Sequence, residues 1–326
     1  MTDETTVGAV IIGRNEGERL VRCLDSLVDA GVPLVYVDSG STDNSLAEAK
    51  ARGALIVELD TTVPFTAARA RTEGFEALAA TGSLPDYVQF VDGDCGVEPG
   101  WIAAGKAELD RDDKLGIVTG WRSEIHRDHS IYNAICDFEW HRPAGEIVAC
   151  GGDMMVRSTA FQEVGGFNPV VIAGEDDEFC VRVGKAGWKL RRLPLAMTRH
   201  DAAMTRFSEW WRRAVRTGHA FAQVGDMHDG YFGPERRRVL IFGGLLPLIA
   251  LIALFVAPWV LLLVALAYVV SYWRTVKGLE RDGLPSGEAA HQGVFLSLSK
   301  FPNIIGMATY FWRRLRGHKM NIIEYK

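Results

Sequence analysis

Two carboxylates separated by one glycine, Asp92-Gly93-Asp94, follow an apolar run over residues 88–91. In extended backbone, residues i and i+2 point to one face, so both carboxylates can share one hard cation. Gly93 would let backbone or phosphate approach closely. The same tripeptide also suits a solvated turn, since Asp-Gly pairs are common turn formers. A second acidic cluster, Glu175-Asp176-Asp177-Glu178, lies between Gly174 and an expected helix over 179–186. The helix macrodipole favours acids there, but four exceed what capping needs, and their mutual repulsion raises the pKa of at least one. A raised carboxyl pKa suits a general base acting on a hydroxyl. Arg199-His200-Asp201 follows an expected strand. Beside Asp94 the neutral imidazole of His200 can complete a metal site; alone it reads as a hydrogen-bonded structural residue.

These residues need a scaffold, and the first 230 residues alternate strand-like and helix-like runs. Strands are expected over 7–12, 34–37, 55–59, 87–91 and 115–119, with helices over 18–30 and 66–80 and one capped by Ser41 or Thr42 that runs to Arg52. The alternation implies an α/β fold whose sheet is mainly parallel and covered by helices on both faces. In such a sheet the ligand sits beyond the carboxyl ends of the strands. Three polar clusters fall at those ends: Gly13-Arg14-Asn15-Glu16, Asp38-Ser39-Gly40-Ser41-Thr42-Asp43, and Asp92-Gly93-Asp94.

The 326 residues are 48% hydrophobic and 24% charged, enough to bury a large core and too apolar for a disordered chain. Five cysteines, with no CxxC spacing, argue against a disulfide scaffold and a structural zinc site. The net charge of −5 hides a split of −10 before Val239 and +5 from Val239 onward. Nucleic acid is therefore not an expected partner of the acidic body. Gly100-Trp101-Ile102-Ala103-Ala104-Gly105-Lys106 spells GxxxxGK, but Ala107 stands where a phosphate loop needs Ser or Thr.

Between Arg238 and Arg274, 35 consecutive residues include no Asp, Glu, Lys or Arg. As one helix they would run about 52 Å, against a hydrocarbon layer of about 30 Å. Pro258 offers a turn near the middle, and basic residues flank both ends: Arg236-Arg237-Arg238 before, Arg274 and Lys277 after. A hairpin over about 239–273, with both ends in the cytoplasm, satisfies the positive-inside rule; a single kinked or tilted helix is the alternative. A third apolar stretch, about 294–316, is interrupted by Lys300, Pro302 and Asn303 and ends aromatic then basic. That order suits a segment lying among lipid headgroups, or else a further crossing. The expected division is a catalytic domain over 1–235 and a membrane-associated region over 236–326. Met1-Thr2-Asp3-Glu4 has no basic-then-apolar signal pattern, which points to a cytoplasmic N-terminus at the inner membrane.

In order along the chain stand GAVIIGRNEGERLVRCLDSL, VYVDSGSTDNS, FTAARARTEGFEAL, FVDGDCGVEPGWI, GGDMMVRSTAFQEVGGFNP and GEDDEFCVRVGKAGWKLRRLP. Together they resemble a family 2 glycosyltransferase of the GT-A, Rossmann-like fold, from about Val7 to His200. The resemblance implies inverting transfer of a sugar from a nucleotide diphosphate sugar with Mg2+ or Mn2+. On it, Arg14, Asn15, Glu16, Asp38, Ser39 and Arg71 bind the donor, and Asp92 meets its ribose or diphosphate. Asp94 ligates the metal with His200, Asp176 of the Glu175-Asp176 pair is the base, and Gly151-Gly152-Asp153 lines the donor sugar and acceptor. Two departures matter. Arg71 is followed by Thr72-Glu73-Gly74 without the family's Asn, and the Gln-x-x-Arg-Trp motif of processive synthases is absent, Ser208-Glu209-Trp210-Trp211-Arg212-Arg213 standing after the His200 strand. Addition of one sugar to a saccharide or lipid-linked saccharide is thus expected, in surface polysaccharide or glycolipid synthesis. Arg206, Arg212 and Arg213 lie in a segment that could close over the diphosphate. Transfer to a polyprenyl phosphate, and a non-catalytic assembly partner of the same fold, are the rival readings.

Overall fold

The computed structural model describes residues 6–63, 65–318 and 320–321. The N-terminal pattern Met1-Thr2-Asp3-Glu4 lies outside the described residues. The chain divides into two compact units: residues up to Asp128 with Cys136–Ala203, and His129–Ile135 with residues from Met204 onward.

The first unit is built on a nine-stranded sheet. Its strands are β1 (Val7–Gly13), β2 (Leu34–Asp38), β3 (Leu55–Glu58), β4 (Tyr87–Asp92), β5 (Cys95–Val97), β6 (Leu115–Glu124), β7 (Gly145–Ile147), β8 (Met154–Arg157) and β9 (Lys189–His200). The spatial order is β3-β2-β1-β4-β8-β6-β9-β5, with β7 also on β9. The β3-β2-β1-β4 half is parallel, β8 runs antiparallel between β4 and β6, and β6 pairs β9 in parallel. Helices α1 (Glu18–Val28), α2 (Ser45–Ala51), α3 (Ala67–Ala79), α4 (Trp101–Arg111), α5 (Ile131–Trp140), α6 (Ser158–Glu163) and α7 (Glu175–Lys185) connect the strands.

Helices cover both faces, and the two-residue period of the strands decides which side chain meets which helix. Ala9, Ile11 and Tyr36 join one core with Leu20, Leu24 and Leu27 of α1. Val10, Ile12, Val35 and Val37 join the other with Phe75 and Leu78 of α3 and Phe179 and Val183 of α7. Gly74 lets α3 sit close, since a Cβ there would overlap Val10. Registers Gly13↔Asp38 and Ile12↔Asp92 bring the polar ends of three strands to one edge of the sheet.

Three local readings shift. β6 continues to Glu124, five residues past the expected end, because its polar second half still pairs with β9. The four acids are themselves the first turn of α7, which begins at Glu175 behind a left-handed Gly174 with φ of 71°. Helix α2 starts at Ser45, because Ser41 and Thr42 are engaged with Asn15. The GxxxxGK stretch runs into α4, where the buried Trp101 indole donates to Gln89 and Lys106 pairs with Asp110.

The second unit is helical: α8 (Phe207–Met227), α9 (Gly233–Val239), α10 (Leu246–Val256), α11 (Val260–Arg281), α12 (Ser286–Leu298) and α13 (Lys300–Leu315). A π-turn over Leu240–Leu245 joins α9 to α10 just before Pro247, which has no N–H to continue the ladder. The apolar stretch is two helices, not one. Gly233–Val256 and Val260–Arg281 are, among the described residues, the helices long and apolar enough to cross a membrane. They break at Ala257-Pro258-Trp259 and fold back, the Tyr268 hydroxyl donating to the Phe242 carbonyl at 2.5 Å. The third stretch is also divided. Helix α13 buries Pro302, Asn303, Gly306, Met307 and Tyr310, with Gly306 and Asn303 against α8.

That packing rests on absent side chains. A Cβ on Gly218 would strike the Asn303 backbone, and one on Gly306 the Val215 carbonyl. Small residues let the two backbones approach, as in tightly crossing helices. Gly306→Val is therefore expected to cost roughly 1–3 kcal/mol by overpacking, about 3–10 °C in Tm. Thermal unfolding in detergent reads this, and an unchanged Tm would refute the close crossing.

Candidate active site

The loops after β1 and β2 are tied to each other before any ligand arrives. Asn15, at a φ of 55°, accepts from the Thr42 amide at 2.7 Å, and its own amide donates to the Ser41 hydroxyl at 2.9 Å. The Gly17 amide donates to Asp43 at 3.1 Å, and the Ser39 amide to the Gly13 carbonyl at 3.1 Å. Asp38 is buried under this lip. Its carboxylate accepts from the Gly40 and Ser41 amides at 2.9 and 2.8 Å and from the Tyr36 hydroxyl at 3.1 Å. Burial and that carboxylate raise the Tyr36 phenol. Arg14 lies over the Phe65 ring at 4.8 Å, and Glu16 pairs with Arg19 at 2.8 Å.

Beneath the lip runs a chain of alternating charges. Arg71, 2% exposed, spans two acids with one guanidinium: Asp92 at 2.7 Å and Glu175 at 2.9 Å. Arg122 reaches Asp92 at 3.3 Å and Asp153 at 2.8 Å. Asp153 also accepts from the Asp92 amide at 3.0 Å and the Thr198 hydroxyl at 2.8 Å. Register makes this possible, since the Phe90↔Met154 pair sets Asp153 beside the end of β4. Burial alone would raise Asp92, but Arg71 and Arg122 outweigh it and hold the carboxyl below its usual range. Gly152 must stay bare, because a Cβ there would strike the Arg71 guanidinium. Arg71 and Asp153 thus belong to one buried charge network with Asp92, Glu175 and Arg122.

Asp94 and His200 are brought together by β5 and β9, through the antiparallel register Cys95↔His200. The Asp94 carboxylate lies 3.3 Å from His200 Nε2, while Nδ1 faces Glu124 at 3.3 Å. Burial lowers the imidazole pKa, but Asp94 and Glu124 outweigh it and raise it. Ligand atoms of Asp94, Cys95 and His200 lie within 4.8 Å of one another, as do those of Asp92, Cys95 and Asp153. An aspartate oxygen beside an imidazole nitrogen, itself braced by a carboxylate, fits a divalent cation.

Asp176 lies one residue beyond Glu175 in the first turn of α7 and lines a cavity of about 340 Å³ with Asp153, Arg122 and Trp140. Burial, then Glu175 and Asp177, push its pKa up to about 8 against the pull of Arg71. Trp140 walls the cavity, with Arg122 over its ring at 5.2 Å and the His200 ring 4.7 Å away. Arg122, Glu124 and Trp140 were not singled out from sequence. The first two carried a readable signal: Trp121-Arg122-Ser123-Glu124 is polar and follows an apolar strand, like the three clusters that were noticed. Trp140 carried none, because its place depends on tertiary packing.

A mixed, mainly parallel α/β sheet with acids at its strand ends is the architecture of the GT-A glycosyltransferase fold. Over residues 9–162 the chain matches the family model Glycosyl transferase family 2, and over 105–308 Glycosyl transferase family group 2. It belongs to the family 2 glycosyltransferases. Two curated relatives, both described as pre-mycofactocin glycosyltransferase in strains of Mycobacterium tuberculosis, are 32% identical over 91 residues. That stretch is 28% of this chain and 18% of each relative's length. Among solved structures, a mannosyltransferase from Pyrobaculum calidifontis in complex with GDP-Man and Mn2+ is similar. Its TM-score is 0.56 at 19% identity, covering 96% of this chain and 89% of that one. A mycobacterial protein matches with a TM-score of 0.50 at 18% identity, over 68% of this chain and 74% of its own.

Proposed function

We propose that this chain moves one sugar, with inversion, from a nucleotide diphosphate sugar to a hydroxyl of a saccharide or lipid-linked saccharide at the cytoplasmic face of the inner membrane. The observation that carries the reading is Asp176: a carboxyl with a pKa pushed up to about 8, facing a cavity, tied through Glu175 and Arg71 to Asp92. A base poised near neutral pH is matched to a hydroxyl proton. The Mn2+ seen with GDP-Man in the mannosyltransferase supports a divalent cofactor, Mg2+ or Mn2+, here.

Asp176 takes the proton from the acceptor hydroxyl as that oxygen bonds to the anomeric carbon. The bond to the diphosphate breaks on the opposite face, and the nucleoside diphosphate leaves with the electron pair. Asp94 and His200 would hold the cation, whose charge offsets that developing on the leaving diphosphate. Arg14, Asn15, Glu16, Asp38 and Ser39 frame the donor's nucleoside end at the edge shared by β1 and β2. Arg71 fixes Asp92 and Glu175, and Gly152 leaves room for that guanidinium. The absence of Gln-x-x-Arg-Trp supports a single addition, and surface polysaccharide or glycolipid synthesis is the setting. On this reading the catalytic domain is residues 1–235 and the membrane-associated region 236–326, although the compact unit that carries the sheet ends at Ala203 and α8 belongs to the helical unit. The basic flanks of the two apolar helices support a hairpin whose ends stay in the cytoplasm beside anionic lipid.

The test is a panel of nucleotide sugars screened for turnover with and without EDTA. Turnover is expected to need Mg2+ or Mn2+ and to fall at least about 100-fold in Asp94→Ala, the scale of losing one electrostatic stabiliser of the leaving charge. Rates indifferent to both EDTA and Asp94→Ala would refute the metal assignment.

A further inference from the structure

The cavity beside Asp176 contains two cations that the proposed reaction does not use. Arg192, on β9, is 9% exposed and lines the cavity together with Arg142. Arg192 donates to the Pro143 carbonyl at 3.3 Å, and its Nε has no hydrogen-bond partner. Arg142 donates from Nε to the Glu139 carbonyl at 3.1 Å. Among the described residues neither guanidinium makes an ion pair with a carboxylate, although the acids Glu139, Asp176 and Asp177 line the same cavity. Arg122, a few residues away on the sheet, shows the contrast, matched by both Asp92 and Asp153. Burial, with the charge of Arg142 added, holds Arg192 below the usual arginine range. A buried fork of five donors with an empty Nε costs stability unless something accepts from it.

The location separates this pair from the diphosphate end. Arg192 is in register with Thr119, whereas His200 is in register with Glu124. Five residues separate the two positions along β6 and eight along β9, the pairing being irregular between them, so the two backbone positions lie roughly 17 Å apart. Among the described residues the acids at the Asp92 end are paired by Arg71 and Arg122, not by Arg192 or Arg142.

We infer that Arg192 and Arg142 form an anion subsite, so that the acceptor bears a carboxylate or phosphate group beside the hydroxyl that Asp176 deprotonates. The inference rests on the transferase reading and names the acceptor class within it. Guanidinium forks match both oxyanions in bidentate fashion, so the shared chemistry is a pair of anionic oxygens on one centre. Uronic-acid saccharides and phosphate-bearing glycolipids are its two sources.

The test is saturation-transfer NMR on the full chain in detergent, with diamagnetic Mg2+ and saturating UDP and GDP to fill the donor end. The probes are methyl glucoside, glucuronate and glucose 6-phosphate. An anionic probe is expected to bind about tenfold or more tighter than the neutral glucoside, the scale of one charge-assisted hydrogen bond. That advantage is lost in Arg142→Gln and Arg192→Gln and kept in Arg192→Lys. Arg142 is solvent-exposed, so its variant folds even if the buried Arg192→Gln does not. The tighter of the two anionic probes identifies the source as carboxylate or phosphate. Equal binding of the neutral glucoside, or an anionic advantage untouched by Arg142→Gln, overturns the inference. Nucleotide-sugar turnover is read separately on the same preparation. If no nucleotide sugar is turned over, the transferase reading fails while the binding result still stands or falls by itself.

Discussion

Asp176→Asn is expected to keep nucleotide-sugar binding and to lower transfer by roughly 10²–10⁴-fold, the span typical of losing a positioned general base. The amide preserves shape and the neighbouring backbone bond but cannot accept the proton. In the unaltered enzyme the ionised form works, so the transfer rate should climb with pH and level off above about 8, where Asp176 has given up its proton. The acid limb disappears in the variant. Stability moves the other way. The folded pKa lies above the unfolded one, about 4 for an aspartate, so the native state binds more protons between the two values. Native stability therefore falls as pH rises through that window, and the penalty is complete above about 8. Asp176→Asn removes it, so the variant should unfold at a higher temperature than the parent at pH 8–9 and at a similar one near pH 4. A slower but more stable protein is the signature of a catalytic base whose charge the fold disfavours. Two outcomes would sink the assignment. Full activity in the variant points to an acceptor that needs no base, such as a polyprenyl phosphate. A parent protein that hydrolyses no nucleotide sugar at all is the assembly-partner reading.

How much of this was legible in the sequence depended on whether the information was local. The parallel half of the sheet was readable, because each strand from β1 to β4 is a short apolar run bounded by polar residues. So were the acids at the strand ends, since parallel strands send them to one edge. The Asp94–His200 pair was expected from the family resemblance, because the antiparallel β5–β9 register that brings it together is not a local pattern. The antiparallel insertion of β8 between β4 and β6 was not readable, and with it went the position of Asp153. Cross-strand partners are set by long-range pairing that no local pattern records. For the same reason the ion pairs of Arg71 were not readable. An arginine in α3 gives no sign that Asp92 and Glu175, 21 and 104 residues away, will close on it. The apolar tail was legible as membrane-competent from charge alone, and Pro258 gave its break. The tight crossing of α8 and α13 depended on Gly218 facing Asn303 and Gly306 facing Val215, which needs the helices' rotation as well as their existence.

Arg71→Met is expected to be the most damaging single change to the unit that carries the sheet. Methionine fills much of the same volume, so the loss isolates the charge. It leaves Glu175, with a side chain 8% exposed, and Asp92, at 27%, facing each other across a buried gap. Removing one partner of a buried ion pair costs about 3–5 kcal/mol, and the contact Asp92 keeps with Arg122 puts this loss toward the lower end. For a domain of this size that is about 10 °C or more in Tm. The sign with pH follows from the carboxylate. Asp92 is held below its usual range by Arg71 and Arg122, so its pairing stabilises the fold above the unfolded pKa and is lost as pH falls through the folded one. The gap in Tm between parent and variant is thus widest near neutrality and narrows below about pH 4, where an aspartate protonates. Lysine is a poor substitute, since one ammonium cannot bridge two carboxylates as a planar fork does, and Arg71→Lys should recover only part of the loss. Arg71 also lowers the Asp176 pKa, so any Arg71→Met protein that still folds should show the acid limb of its transfer rate displaced to higher pH. An unchanged melting temperature, or a gap that does not narrow in acid, would mean that the two carboxylates find solvent. The guanidinium would then not be what joins the base-bearing helix to the end of β4.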